Sequence, residues 1–175
     1  MTQVDNIAYV VCAGFSAIAM YTADTFSPLG DDIHVKGMKN PRDIVACRRD
    51  RQLYVADDYC IWRVSTDDHS YEKWLTTELH INKLSLMSHG LLVTSSQPPT
   101  LCEYNTVDAQ LLRVIKLSQS VEYLWHGLET SRGTFVVSHK GTSHDKEQCA
   151  VSELFSIVVY IGTFTTLRSA VDPLQ

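Results

Sequence analysis

An all-β, β-propeller-like chain is predicted, with about four four-stranded antiparallel blades in an open partial ring. Three observations carry this. Residues 40–64, NPRDIVACRRDRQLYVADDYCIWRV, read as three short apolar strands separated by charged turns. The pattern returns at a period of about 40 residues, as propeller blades do. Apolar residues gather in short runs rich in Val, Ile, Leu and Tyr, not at the i, i+3, i+4 spacing of an amphipathic helix. Turn-forming residues separate the runs: residues 28–32, Asp57-Asp58, Pro98-Pro99 and Arg132-Gly133.

The second strand of each unit sets the frame. It is centred on Val11 in AYVVC, Val55 in LYVAD, Val93 in LLVTS and Val137 in FVVSH, at intervals of 44, 38 and 44 residues. First strands are expected at 44–47, 84–87 and 127–129, with none in the first unit, because few residues precede Ile7. Third strands are expected at 17–21, 61–64, 101–104 and 149–152. More polar outer strands are expected at 33–36, 71–75, 111–117 and 156–161. The units then span 7–36, 41–78, 81–118 and 123–162 of a propeller fragment over 1–162, with 163–175 a tail or closing strand. A fragment is favoured over a ring closed by residues 163–168, since the final stretch matches the repeat poorly. An open arc leaves apolar blade faces uncovered and predicts self-association. Trp62 and Trp74 read as wedges between blades, and Trp125 sits where a mouth would be.

Bulk properties narrow the function classes. The chain has 175 residues, 45% hydrophobic and 20% charged, which suits one globular domain and excludes general disorder. Its net charge of -5 disfavours nucleic acid as a partner, because phosphate-tracking surfaces are basic. Arg48, Arg49 and Arg51 are interrupted by Asp50 in a strand-to-strand turn and read as solvated. Cys12, Cys47, Cys60, Cys102 and Cys149 form no Cys-x-x-Cys pair and read as reduced thiols of a cytoplasmic protein. The apolar run 7–21 follows Asp5 without a preceding Lys or Arg, unlike a secretory leader. It is also shorter than the roughly 20 residues that span a bilayer. No membrane association is expected.

The second unit resembles an NHL-type repeat of the six-bladed, TolB-like propellers. The match lies in Pro41, Ile44, Ala46, Leu53, Tyr54, Val55, Ala56, Asp57, Ile61 and Val64. Asp43 stands where the repeat usually has Gly, and the usual Asp-x-x-Gly turn is absent. The resemblance is sharp over about 25 residues and degenerate in the units around Val93 and Val137. Related six-bladed propellers include lactonases that hold a divalent metal in the central channel. Their ligand set has no residue-by-residue match here.

In an antiparallel blade, the start of strand one and the turn between strands two and three lie at one end. That gathers Arg42, Asp43, Asn82, Lys83, Trp125 and His126 with Asp57, Asp58, Ser95, Ser96, His139 and Lys140. Loops at such an end commonly carry function. From this set Arg42, Asp43, Asp57, Asp58, Lys83, Trp125, His126 and His139 are the candidate contacts to a protein or peptide partner. The competing reading is structural, with Asp57 and Asp58 capping turn amides and Arg42 pairing with Asp43.

Other chemistry finds less support. His139 and His144-Asp145 lack the further ligands a zinc site needs. There is no Gly-x-Ser-x-Gly elbow and no phosphate-cradling glycine loop. The acid pairs Asp31-Asp32, Asp57-Asp58 and Asp67-Asp68 fall in turns. No catalytic set, metal site or cofactor is assigned. A non-enzymatic interaction module is the leading expectation. The alternative is a divalent-metal-dependent hydrolase of the lactonase type, with Asp43 or Asp57 lining the channel.

Overall fold

The structure, a computed structural model, describes residues 1–115, 117, 121, 123–140 and 149–154. It consists of strands and turns, with no helix among the described residues. The first sheet holds β1 (Thr2–Val4), β2 (Ile7–Val11), β3 (Ala17–Thr22) and β4 (Ile33–His34). The second holds β5 (Pro41–Cys47), β6 (Gln52–Asp57), β7 (Cys60–Ser65) and β8 (Tyr71–Thr76). The third holds β9 (Ile81–Leu86), β10 (Leu91–Ser96), β11 (Pro99–Tyr104) and β12 (Leu111–Ile115). The fourth holds β13 (Tyr123–Glu129), β14 (Phe135–Lys140) and β15 (Cys149–Leu154). Each sheet is an antiparallel meander in chain order. The expected outer strand at 156–161 and the closing run at 163–168 lie outside the described residues.

The sheets stack on one another in sequence order, and their first strands meet: β1 packs on β5, β5 on β9 and β9 on β13. First strands are therefore innermost, and each sheet is a blade. Three apolar cores fill the gaps. Tyr9 and Ile18 face Val55 and Trp62 between blades one and two. Tyr54 and Ile61 meet Leu91 and Val93 between blades two and three. Leu92 and Leu101 meet Leu124, Phe135 and Val137 between blades three and four. Both faces of a middle blade thus bury apolar surface, at roughly 25 cal/mol per Å² removed from water. That is why β6 and β10 are buried along almost their whole length.

Three expectations need correction. Blade one does have an inner strand: Thr2, Gln3 and Val4 pair with Tyr9, Ala8 and Ile7 across a tight turn. Asp5 makes that turn at φ 51°, a conformation Asp tolerates better than most residues. The first strands of blades two to four start three or four residues earlier than expected. In blades two and three the polar pairs Arg42-Asp43 and Asn82-Lys83 follow Pro41 and Ile81, so no apolar run marks these openings. By contrast, β13 opens on the apolar Tyr123-Leu124-Trp125. Finally, Val11 is out of phase with the other three valines. It faces blade two, whereas Val55 faces blade one. Val10 is the true equivalent, and a one-residue slip exchanges the two faces of a strand.

Candidate functional site

Register confirms that the first-strand starts and the ends of the second strands share one end of the blades. Pro41 pairs with Asp57, Lys83 with Thr94, and Leu124 with His139. The β2–β3, β6–β7 and β10–β11 turns project from this end.

Asp57 is almost fully buried, at 5% exposure. Its carboxylate accepts the backbone N–H of Lys39 at 3.1 Å and of Asn40 at 2.6 Å. It also accepts the indole Nε1–H of Trp62 at 3.0 Å. These donors come from the segment entering β5 and from β7, so Asp57 ties the blade's entry to its third strand. Gly37 helps shape that segment: at φ +99°, a Cβ there would lie 3.3 Å from Trp62 Cη2. Asp58, one residue on, turns outward at φ 47°. Arg42 Nε donates to it at 2.9 Å, Asn40 Nδ2 at 3.1 Å, and His80 Nε2 stands 3.6 Å away. Partial burial pushes the Asp58 carboxyl up, but the Arg42 and Asn40 hydrogen bonds outweigh it and hold the group below its ordinary value.

Arg42 therefore pairs with Asp58, not with its neighbour Asp43. Asp43 reaches across to blade three, accepting from Leu84 N–H at 2.9 Å and from Lys83 Nζ at 3.4 Å. The next gap is bridged in the same way. Ser85 Oγ lies 2.7 Å from His126 Nε2 and donates to the Gly127 carbonyl at 2.9 Å. Asn82 Nδ2 donates to the Leu124 carbonyl at 3.3 Å. Polar side chains of the inner strands thus stitch adjacent blades together. Trp125 is 48% exposed, with the Tyr123 ring 4.7 Å away. His139 is buried at the end of β14.

Sequence reasoning overlooked Phe15 and Tyr59, which stand 65% and 52% exposed on the β2–β3 and β6–β7 turns of this same end. Tyr59 rests edge-on against His80, with centroids 5.5 Å apart. A large aromatic in a turn otherwise built of small and acidic residues was the available signal.

Concave surface lies at the opposite end. A cleft of about 590 Å³ runs between Arg49, Tyr54, Arg63, Tyr71 and Val107. Arg63 there pairs with Glu72 and donates to the Thr106 carbonyl at 3.2 Å. Arg51 pairs with Asp67 and with Asp5 of blade one, so this arginine joins blades.

Among the described residues, no group of three His, Cys, Asp or Glu side chains is placed to hold a metal ion. The oxygens of Asp43 and Asp57 already serve the donors named above. His144 and Asp145 lie outside the described residues. Cys47 and Cys102 are buried and free, Cys60 is half-buried and Cys12 exposed. Burial pushes the Cys102 thiol up to about 11, which suppresses its thiolate. No helix among the described residues is long and apolar enough to cross a membrane.

Solved structures with this blade stacking are β-propellers. Hydrazine synthase of Kuenenia stuttgartiensis matches with a TM-score of 0.71 at 12% identity, over 87% of this chain and 44% of that one. The Pan2 WD40 domain of Neurospora crassa matches at 0.64 and 15% identity, over 86% and 46%. The dihydro-heme d1 dehydrogenase NirN, solved in complex with DHE, matches at 0.57 and 14%, over 85% and 34%. The chain thus has a β-propeller fold and spans less than half the length of each structure. No protein-family model and no curated protein sequence matches it.

Proposed function

We propose that this chain is a β-propeller interaction module that binds a protein or peptide partner at the end bearing the β2–β3 and β6–β7 turns. The carrying observation is the set of exposed aromatics there, Phe15, Tyr59 and Trp125. Aromatic side chains anchor interfaces because they bury much area at little entropic cost. Arg42 and Lys83 already have intramolecular carboxylate partners. They tune the rim of the surface, and the aromatic rings supply the anchors. On this reading Asp57 and Asp43 support the surface from beneath.

The cleft around Arg49 and Tyr71 favours a second reading, in which the opposite end binds. One experiment separates the two: affinity capture of partners by the full chain, its Tyr59→Ala/Trp125→Ala variant and its Tyr71→Ala variant. The proposal expects at least about tenfold lower recovery with the first variant and little change with the second. The reverse pattern overturns it.

A further inference from the structure

We propose that the far face of the fourth blade docks the first blade of a second copy of this chain, so that two copies complete one ring. The observation comes from comparing equivalent strands. Every residue from Leu53 to Asp57 of β6, and all of β10, is buried, since a blade lies on each side. In β14 only alternate residues are buried: Phe135, Val137 and His139. Val136 and Ser138, which point the other way, are half-buried.

Register makes the equivalence specific. Gly127 opposes Val137 as Ile44 opposes Val55 and Leu84 opposes Val93. Leu128 therefore occupies the position of Val45 and Ser85, and Val136 that of Tyr54 and Leu92. Each of those equivalents touches the following blade. Val45 and Tyr54 pack in the core between blades two and three, and Leu92 in the core between three and four. Ser85 bonds to blade four itself. Leu128, in contrast, is 42% exposed. This surface has the build of a blade-to-blade contact, and no following blade lies on it among the described residues.

The other end of the stack offers the matching surface. Ala8 pairs with Tyr21 and Val10 with Ala19, which puts these four residues on one face of blade one. That face is opposite Tyr9, Val11 and Ile18, which meet blade two. Ala8, Val10 and Ala19 give this face an apolar, low-profile centre beside the Tyr21 ring, which suits an apolar side chain such as Leu128. A head-to-tail contact of this kind closes after two copies when the rotation per copy is half a turn. The chain spans 44% and 46% of two propellers it resembles, so two copies supply a comparable length of blade.

Sedimentation velocity on the full chain at micromolar concentration tests the proposal. The expected mass is twice 19.7 kDa. Leu128→Asp, on blade four, and Ala19→Asp, on blade one, should each weaken the dimer by at least about tenfold, a change of about 1.4 kcal/mol. The double variant Leu128→Lys/Gln3→Asp should recover the dimer. Inner strands meet at blade contacts, and Gln3, opposite Ala8 on β1, lies on the same face of blade one. Opposite charges therefore fall at each contact; a merely misfolded chain would not be rescued. A monomeric parent, open-ended oligomers, a dimer indifferent to both single substitutions, or a double variant that stays monomeric would each overturn the proposal.

Discussion

Asp57 illustrates how one carboxylate in an acidic turn can brace a blade from within. It sits in an acidic turn motif beside Asp58, yet the two face different environments. Asp57 accepts two backbone amides and the Trp62 indole while almost fully buried. Removing it strands those donors, and an unmet buried donor costs about 1–3 kcal/mol. Asp57→Ala should therefore lower unfolding stability by about 3 kcal/mol or more in urea titration. Asp58→Ala, which loses a half-exposed ion pair, should lower it by less than about 1 kcal/mol. Asp68 carries a pH signature. Hydrogen bonds from Ser65 and Ser70 pull its carboxyl from 3.8 down to about 2. A folded-state value below the unfolded one contributes stability that is complete above the unfolded value and fades as pH falls through the folded one. The stability deficit of Asp68→Asn against the parent should thus be present near neutral pH, shrink as the pH falls from 3.8 toward 2, and vanish only below about 2. A deficit that persists there would point to lost packing, not to titration.

Strands were legible in proportion to how dry they are. The second strands β6 and β10 are buried along both faces and stand out as runs of Val, Leu and Tyr. The inner strands bury Ile44 and Ala46 against one neighbouring blade and Val45 against the other, but the polar Arg42, Asp43, Asn82 and Lys83 near their starts mask where they begin. β1 escaped notice because a three-residue strand has no periodicity to read. The candidate end was legible as a cluster, since antiparallel order alone brings those positions together. Which residues there are braces and which are exposed depends on contacts across blades, such as Asp43 with Leu84, that no local pattern encodes. Those contacts also identify the tightest joint. Gly127 lies on the inner strand of blade four, where a Cβ would come within 2.6 Å of Leu101 Cδ2. Leu101 is fully buried, so it has little room to yield. Gly127→Val should cost about 1–3 kcal/mol by overpacking. The same substitution should change Trp125 fluorescence, two residues away. An unchanged melting temperature would mean that blade four is less firmly seated than the geometry requires.

At the scale of the whole molecule, each blade touches its sequence neighbours, an arrangement in which stability accrues from nearest-neighbour interfaces. Among the described residues, middle blades have two such interfaces and end blades one. Opening a middle blade disrupts two apolar cores: for blade two these are the clusters around Val55 and around Tyr54. Opening blade four disrupts the single core around Phe135 and Val137. Amide exchange reports the free energy of the cheapest opening that frees each hydrogen bond. In the Leu128→Asp chain, where the proposed second copy is absent, amides of β6 and β10 should exchange slowest. Those of β14 should exchange faster, with β2 also below the middle pair. In the parent chain, protection of β14 and β2 should rise together with protein concentration, because the same docking event would cover both ends. Equal protection in all four second strands of the substituted chain would contradict neighbour-by-neighbour stabilisation. A concentration effect on β14 without one on β2 would place the partner of blade four elsewhere than on blade one.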